Sequence, residues 1–253
     1  MILYFSGSGN SKFVAKYLAI LLKDEVISLN KIIKENLSLD LVSNKPYVFV
    51  CPIYAWRFPS RIENLIKNSN LRGNNNFYFI ATMGLNCGNA DKYLKKITKS
   101  KNKNYMGFGK IIMPNNYLIS DKPESSENIK KIIQNAIPLI ETFANKISNN
   151  EIIKYEKREF FGFLKSSFIN YFFNKFFVNG KNLVVDENCI KCEKCIKSCP
   201  LNNISLVNDK IKISNNCMFC LSCLNNCPKN AITFRDKKNG TYSCPSVEDF
   251  LKK

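Results

Sequence analysis

The 253-residue sequence predicts an α/β chain: an open, doubly wound sheet of five parallel strands, a helical connector, and a small, internally repeated cysteine domain. Three observations predict it. Short apolar runs alternate with helical patterns through residues 1–150, the alternation that builds a parallel sheet covered on both faces. A Ser/Gly loop follows the first of those runs and opens a helix. Eight of the eleven cysteines lie in two runs, CIKCEKCIKSCP from Cys189 and CMFCLSCLNNCP from Cys217, which superimpose on a shift of 28 residues.

Residues 1–5 (MILYF) read as a buried strand. The loop SGSGNS follows, then an amphipathic helix with Phe13, Val14, Tyr17, Leu18, Leu21 and Leu22 at helical spacing. Strand, glycine loop and helix in that order make an anion site. Glycines allow close backbone approach, N–H groups converge, and the helix N-terminus favours negative charge. Ser6, Ser8, Ser11 and Asn10 add side-chain donors beside Gly7 and Gly9. A dinucleotide fingerprint would need a third glycine where Lys12 stands, and the G-x4-G-K-[ST] of a triphosphate loop is missing.

Further strands are expected at 47–52 (YVFVCP), 77–83 (FYFIATM) and 106–113, with helices at 59–68, 90–99 and 124–147. A ligand of such a sheet belongs beyond the strand C-termini. That places Pro52, Ile53, Tyr54, Ala55 and Trp56 of one loop, and Thr82, Gly84, Cys87 and Gly88 of another, around whatever the first loop holds. Tyr54 or Trp56 would offer an aromatic face; core packing is the other reading of Trp56. Arg57 is either a charge partner of the ligand or a solvated side chain. Cys87 is expected to contribute backbone contact rather than thiol chemistry. Cys51 reads as a small buried hydrophobe, and Cys244 has no assigned role.

Between the two parts, residues 151–181 carry Phe161, Leu164, Phe168, Phe172 and Phe176 at helical intervals, with Lys165 and Lys175 among them. Basic amphipathic helices do bind membrane surfaces, but the expectation here is that the aromatic face packs between the two domains. Residues 182–235 form the cysteine domain, and 236–253 read as a polar tail ending in a short helix.

Composition narrows the function. Apolar residues make up 45% of the chain, enough for a sizeable core. Histidine is absent, which removes the commonest general base and argues against hydrolytic or acyl-transfer chemistry. No stretch is apolar for long enough to span a bilayer, and the five-residue run at the start is too short for export, so a cytosolic, thiol-reducing setting is expected. Clustered cysteines there bind metal. Zinc also accepts four thiolates, but usually from two well-separated pairs; three cysteines at steps of three crowd one tetrahedral ion. The net charge of +18 invites a nucleic-acid reading, yet the excess is scattered lysine among asparagine rather than a stripe, and no dedicated nucleic-acid role is expected.

Each cysteine run is C-x2-C-x2-C-x3-C-P and resembles the bacterial two-cluster ferredoxins. That resemblance implies one [4Fe–4S] cluster on Cys189, Cys192, Cys195 and Cys227, and a second on Cys217, Cys220, Cys223 and Cys199. Many ferredoxins carry glycine where this chain has Glu193 and Leu221. The loop pattern [ST]-x-[ST]-G-x-[ST] resembles the flavodoxin loop for the phosphate of flavin mononucleotide (FMN), which implies the isoalloxazine between the loops at 52–56 and 82–88. Together with "PIYAWRFPSRI", "TMGLNCGNA" and "MPNNY", these motifs resemble the bacterial family that fuses a flavodoxin-type domain to a two-cluster ferredoxin domain. The resemblance implies electron transfer between the clusters and FMN, with redox proteins as partners; because the connector is expected to pack between the domains, a membrane surface is not the expected partner. The alternative is a flavin-dependent reductase of a quinone, nitro compound or oxygen, with Tyr117 as a proton donor and residues 113–128 as a lid or wall of its pocket. Bound clusters and flavin phosphate, at about −2 each, would leave roughly +12. Ordinary flavodoxins are acidic, so the basic surface here departs from their docking pattern.

Overall fold

The computed structural model describes residues 1–155, 160–235, 237 and 239–251. Residues 156–159 of the expected connector, and Asp236, Lys238, Lys252 and Lys253 of the expected tail, lie outside the described residues.

The chain opens with β1 (Ile2–Tyr4), α1 (Asn10–Leu22), β2 (Val26–Ser28), α2 (Leu29–Lys34), β3 (Asp40–Ser43), β4 (Tyr47–Pro52) and α3 (Ser60–Lys67). It continues with β5 (Asn70–Gly73), β6 (Asn76–Met83), α4 (Ala90–Ser100), β7 (Asn104–Ile112) and α5 (Ser126–Ser148). Five strands pair in parallel in the order β2-β1-β4-β6-β7. This is the flavodoxin-like order, in which the chain doubles back beside β1 and leaves a crevice above its C-terminal end. The expected strands at 47–52 and 77–83 form as β4 and β6. Two additions lie outside the sequence reading: the half-exposed edge strand β2, and a separate parallel pair, β3 with β5.

Alternation along the strands explains why both faces are covered. Leu3, Phe5, Phe49, Phe77 and Phe79 point into one core with Leu29, Phe58, Ile62 and Leu94. Their neighbours Ile2, Val48, Val50, Tyr78 and Ile80 point into the other with Phe13, Leu18, Ile133 and Ile140.

The connector is α6 (Gly162–Leu164), a π turn (Lys165–Ile169) and α7 (Asn170–Phe176). Its orientation corrects the sequence expectation. The aromatic face is turned to solvent, with Phe161 64%, Leu164 48%, Phe168 61%, Phe172 49% and Phe176 58% exposed. Gly162, Ser166 and Asn170 are the buried residues instead. The surface they meet is loop backbone, which accepts small and hydrogen-bonding side chains and rejects phenyl rings. A four-residue stripe drifts by about 40° per step on an α-helix, and the wider π turn takes up that drift.

The cysteine domain comprises β8 (Leu183–Val185), α8 (Lys194–Ser198), β9 (Ile204–Val207), β10 (Lys210–Ile213), α9 (Ser222–Asn225) and β11 (Ile232–Phe234). The 28-residue shift maps the first three elements onto the last three. Each antiparallel pair, β8 with β11 and β9 with β10, takes one strand from each half. Left-handed residues repeat at the same interval: Lys191 with Phe219, Glu193 with Leu221, Asn202 with Asn230.

The tail packs rather than trails. Tyr242 and Val247 are buried, and Phe250, in the terminal helix α10 (Glu248–Leu251), meets the Phe13 ring edge-on at 5.5 Å. Among the described residues no helix is long and apolar enough to cross a membrane.

Candidate functional site: an anion loop beside a cysteine pocket

Two small cavities collect the repeated cysteines. Cys189, Cys192, Cys195 and Cys227 line one, with Val185, Ile211 and Ile232. Cys199, Cys217, Cys220 and Cys223 line the other, with Leu183, Ile204 and Ile213. Each set therefore takes three thiols from one run and the fourth from the other, because the turn at Pro200 or Pro228 carries the last cysteine across. None of the eleven cysteines is joined in a disulfide. Burial pushes the Cys220 thiol up to about 12 and raises Cys195, Cys217 and Cys223 as well. Such thiols stay protonated until a metal centre displaces the proton. Backbone N–H groups are already aimed at the sulfurs: Asn203 N donates to Cys199 Sγ at 3.4 Å and Ala231 N to Cys227 Sγ at 3.2 Å, again 28 residues apart.

Four thiols line each cavity. Among the described residues no group of three or more His, Cys, Asp or Glu could hold a single metal ion. Thiolates around one tetrahedral zinc would stand about 3.8 Å apart. Four thiols around a common cavity, each near an apolar wall, fit an iron–sulfur centre.

The anion loop folds as a left-handed turn into α1, with Gly9 at φ +105°. Ser6 Oγ accepts from Gly9 N at 3.0 Å and Ser8 Oγ accepts from Asn116 Nδ2 at 2.8 Å. Asn10 and Ser11 are buried and engaged in the fold. Asn10 Nδ2 donates to Pro114 O, Tyr242 Oη donates to Asn10 Oδ1, and Ser11 Oγ shares a hydrogen with Thr82 Oγ1 at 2.7 Å.

Ser6, Gly7, Ser8 and Gly9 line a cavity of about 540 Å³, within the roughly 300–1,000 Å³ of small-cofactor pockets. Lys12, Lys16, Lys31, Lys34 and Lys197 also line it and, among the described residues, no acidic one does. The far wall comes from the cysteine domain at Pro200 and Ser222 and from the tail at Cys244. This donor set fits the phosphate end of a flavin. Sequence reasoning missed the tail wall, since nothing in DKKNGTYSCPSVEDFLKK marks Cys244 N to donate to Ser8 O at 2.8 Å. Burial raises the Cys244 thiol to about 11.

No residue from 52–56 or 82–88 lines that cavity. Pro52 closes β4 and is buried, and Ile53 N donates to Thr82 O at 2.9 Å, so the two loops start side by side. Tyr54 and Arg57 exchange backbone hydrogen bonds around Ala55 and Trp56, both at positive φ (+45° and +64°). Two non-glycine left-handed residues in a two-residue turn are strained, at about 1–3 kcal/mol each. The connector holds that turn: Asn170 Nδ2 donates to Ala55 O at 2.8 Å and Ser166 Oγ to Trp56 O at 2.9 Å.

Ser166 Oγ also accepts from Asn89 N at 2.8 Å, and a Cβ on Gly88 would stand 2.9 Å from Trp56 Cβ. The Trp56 turn, Gly88 and the connector therefore approach one another closely. Open ground remains beside Gly84, where an added Cβ would meet nothing within 4 Å. Cys87 is buried with its thiol 3.3 Å from Tyr155 Oη, and Cys51 is wholly buried in β4. Arg57 is engaged within the fold: it is partly exposed, pairs with the buried Glu63 and lies 3.7 Å over the Tyr93 ring.

The two parts meet at the second cysteine run. Met218 and Cys220 belong to the same buried core as Phe5, Phe49 and Phe58. Tyr54 Oη donates to Cys220 O at 3.4 Å. A Cβ on Gly7 would stand 2.2 Å from that carbonyl, so only glycine permits the contact. Lys34 Nζ reaches Ile196 O and Cys199 O at 2.9 and 3.0 Å. Of the two roles expected for residues 113–128, lid or wall, the packing is that of a wall: Leu118 and Ile119 are buried in the cysteine-domain core, and the Tyr117 ring packs on Phe219 at 6.2 Å.

Comparison with known proteins agrees with this division. Residues 1–122 match the family model of a flavodoxin domain, and residues 181–228 match that of a 4Fe-4S dicluster domain. No curated protein matches the chain. Among solved structures, the chain is similar to the Trp repressor binding protein from Bacillus subtilis, at 14% identity over 55% of this chain and 95% of that one, with a TM-score of 0.33. One polypeptide thus joins a flavodoxin domain to a 4Fe–4S dicluster domain, and the chain is a flavodoxin–ferredoxin fusion.

Proposed function

We propose that the chain is an electron carrier in which two [4Fe–4S] clusters, on Cys189/Cys192/Cys195/Cys227 and on Cys217/Cys220/Cys223/Cys199, exchange electrons with FMN held at the Ser6–Gly9 loop. When bound, the clusters supply one-electron steps and the flavin one- or two-electron steps. The observation that carries the reading is the seating of Cys220 against Gly7 and Tyr54. It sets one cysteine pocket directly against the flavodoxin loop.

The chain's own residues do the rest. Asn203 and Ala231 point N–H groups at ligand sulfurs, which stabilises the extra negative charge of a reduced cluster. The lysines around the loop balance a phosphate, and Leu183, Ile204 and Ile213 keep water from the second pocket. Cys192 is exposed and opens the first pocket to a redox partner. Isolation without air, followed by counting of iron, sulfide and flavin, tests the reading. It predicts about eight iron, eight sulfide and one FMN per chain; zinc in place of iron, or clusters without flavin, would overturn it.

A further inference from the structure

The connector leaves its apolar stripe without a partner. Phe161, Leu164, Phe168, Phe172 and Phe176 are each about half exposed or more, and the Phe172 and Phe176 rings stack on one another at 6.0 Å. At roughly 100 Å² of exposed side chain apiece, the stripe amounts to about 500 Å², as large as the largest apolar patch on a typical monomer. The helix cannot turn this face inward without losing its seat, since Ser166 and Asn170 already bond the backbone of Trp56, Asn89 and Ala55. A Cβ on Gly162 would stand 2.5 Å from Asn89 Oδ1, so the inward approach is as close as glycine allows.

Charge decides the occupant. Residues 160–185 carry three lysines and no acidic residue, in a chain of net charge +18. A second copy of so basic a chain is repelled, whereas an anionic bilayer attracts basic groups by about 1 kcal/mol for each Lys near the surface. Exposed phenyl rings interleaved with lysine, on a helix lying along the surface of the protein, are the composition of an interfacial helix. Lys175 shows the arrangement directly, with Nζ 5.7 Å from the Tyr171 ring and 5.5 Å from the Phe176 ring. We infer that the exposed aromatic face of residues 161–176 docks the protein on an anionic lipid surface. Because α6, the π turn and α7 are fastened to the Trp56 loop, docking would hold the flavodoxin loops at a fixed distance from the bilayer.

The full, cofactor-loaded chain is floated with vesicles of phosphatidylcholine alone and of phosphatidylcholine mixed with phosphatidylglycerol. It is expected to float with the mixed vesicles, less with the neutral ones, and to be partly released by salt. The triple variant Phe168→Ser/Phe172→Ser/Phe176→Ser keeps every charge and should lower partitioning by roughly a hundredfold, with iron and flavin content unchanged. As a readout independent of that variant, Phe172→Trp should shift its emission to the blue on mixed vesicles. Wild-type protein that stays unbound, a folded triple variant that binds as wild type, or an unshifted Phe172→Trp spectrum would overturn the inference. So would a dimer in solution that the triple variant abolishes while vesicles leave it intact.

Discussion

The two halves of the dicluster domain share a backbone and differ in their surroundings. In the first set Cys192 is exposed, Cys189 and Cys227 are half-buried, and only Cys195 is buried. In the second, Cys220 and Cys223 are buried, and the loop that carries Cys220 belongs to the flavodoxin core. Equivalent left-handed positions carry Glu193 in one half and Leu221 in the other, the first partly solvated and the second 4% exposed. Repeating a motif thus repeats the backbone but not the surroundings. One set of cysteines reaches solvent at Cys192 and the other is built against the flavodoxin loop.

The contact unique to the second half breaks most sharply at Gly7. Gly7→Ala would drive a methyl group into the Cys220 carbonyl, and the loop must withdraw. We expect about 2–3 kcal/mol of lost stability, read as a lower Tm of the loaded protein, together with faster proteolysis between the domains. An unchanged Tm and unchanged cleavage would mean that the two parts are not seated on one another.

The left-handed pair gives a smaller effect of opposite sign in the two halves. Glu193→Gly relieves a left-handed residue at the surface and should stabilise by about 1 kcal/mol. Leu221→Gly relieves the same strain but removes a buried side chain from the core around Phe219 and Leu224, for a net loss of about 2 kcal/mol. Urea unfolding without air separates the two. Equal changes would show that the surroundings of the halves are energetically alike.

Much of this was legible in the sequence, for physical reasons. Strands β4 and β6 are buried on both faces and read as continuous apolar runs, and the resemblance of the cysteine runs to two-cluster ferredoxins implies how the two runs share their cysteines. Other features left no such mark. Strand β2 is three residues of half-exposed edge, and the pair β3 with β5 sits outside the main sheet. Contacts such as Tyr242 with Asn10 join residues 232 positions apart and have no local signature. The connector is the clearest lesson. Periodicity tells which residues share a helix face but not which face is buried. A partner made of loop backbone selected Gly162, Ser166 and Asn170 over five aromatic and aliphatic neighbours.

The difference between the two pockets is tested most directly by removing one ligand from each. Cys192→Ser and Cys223→Ser are isolated without air, and iron and flavin are counted in both. Each should lose about half its iron. Flavin should remain in Cys192→Ser and fall in Cys223→Ser, because the loop through Met218 and Cys220 no longer seats on Gly7. Equal flavin in both variants, with iron halved in each, would contradict the account.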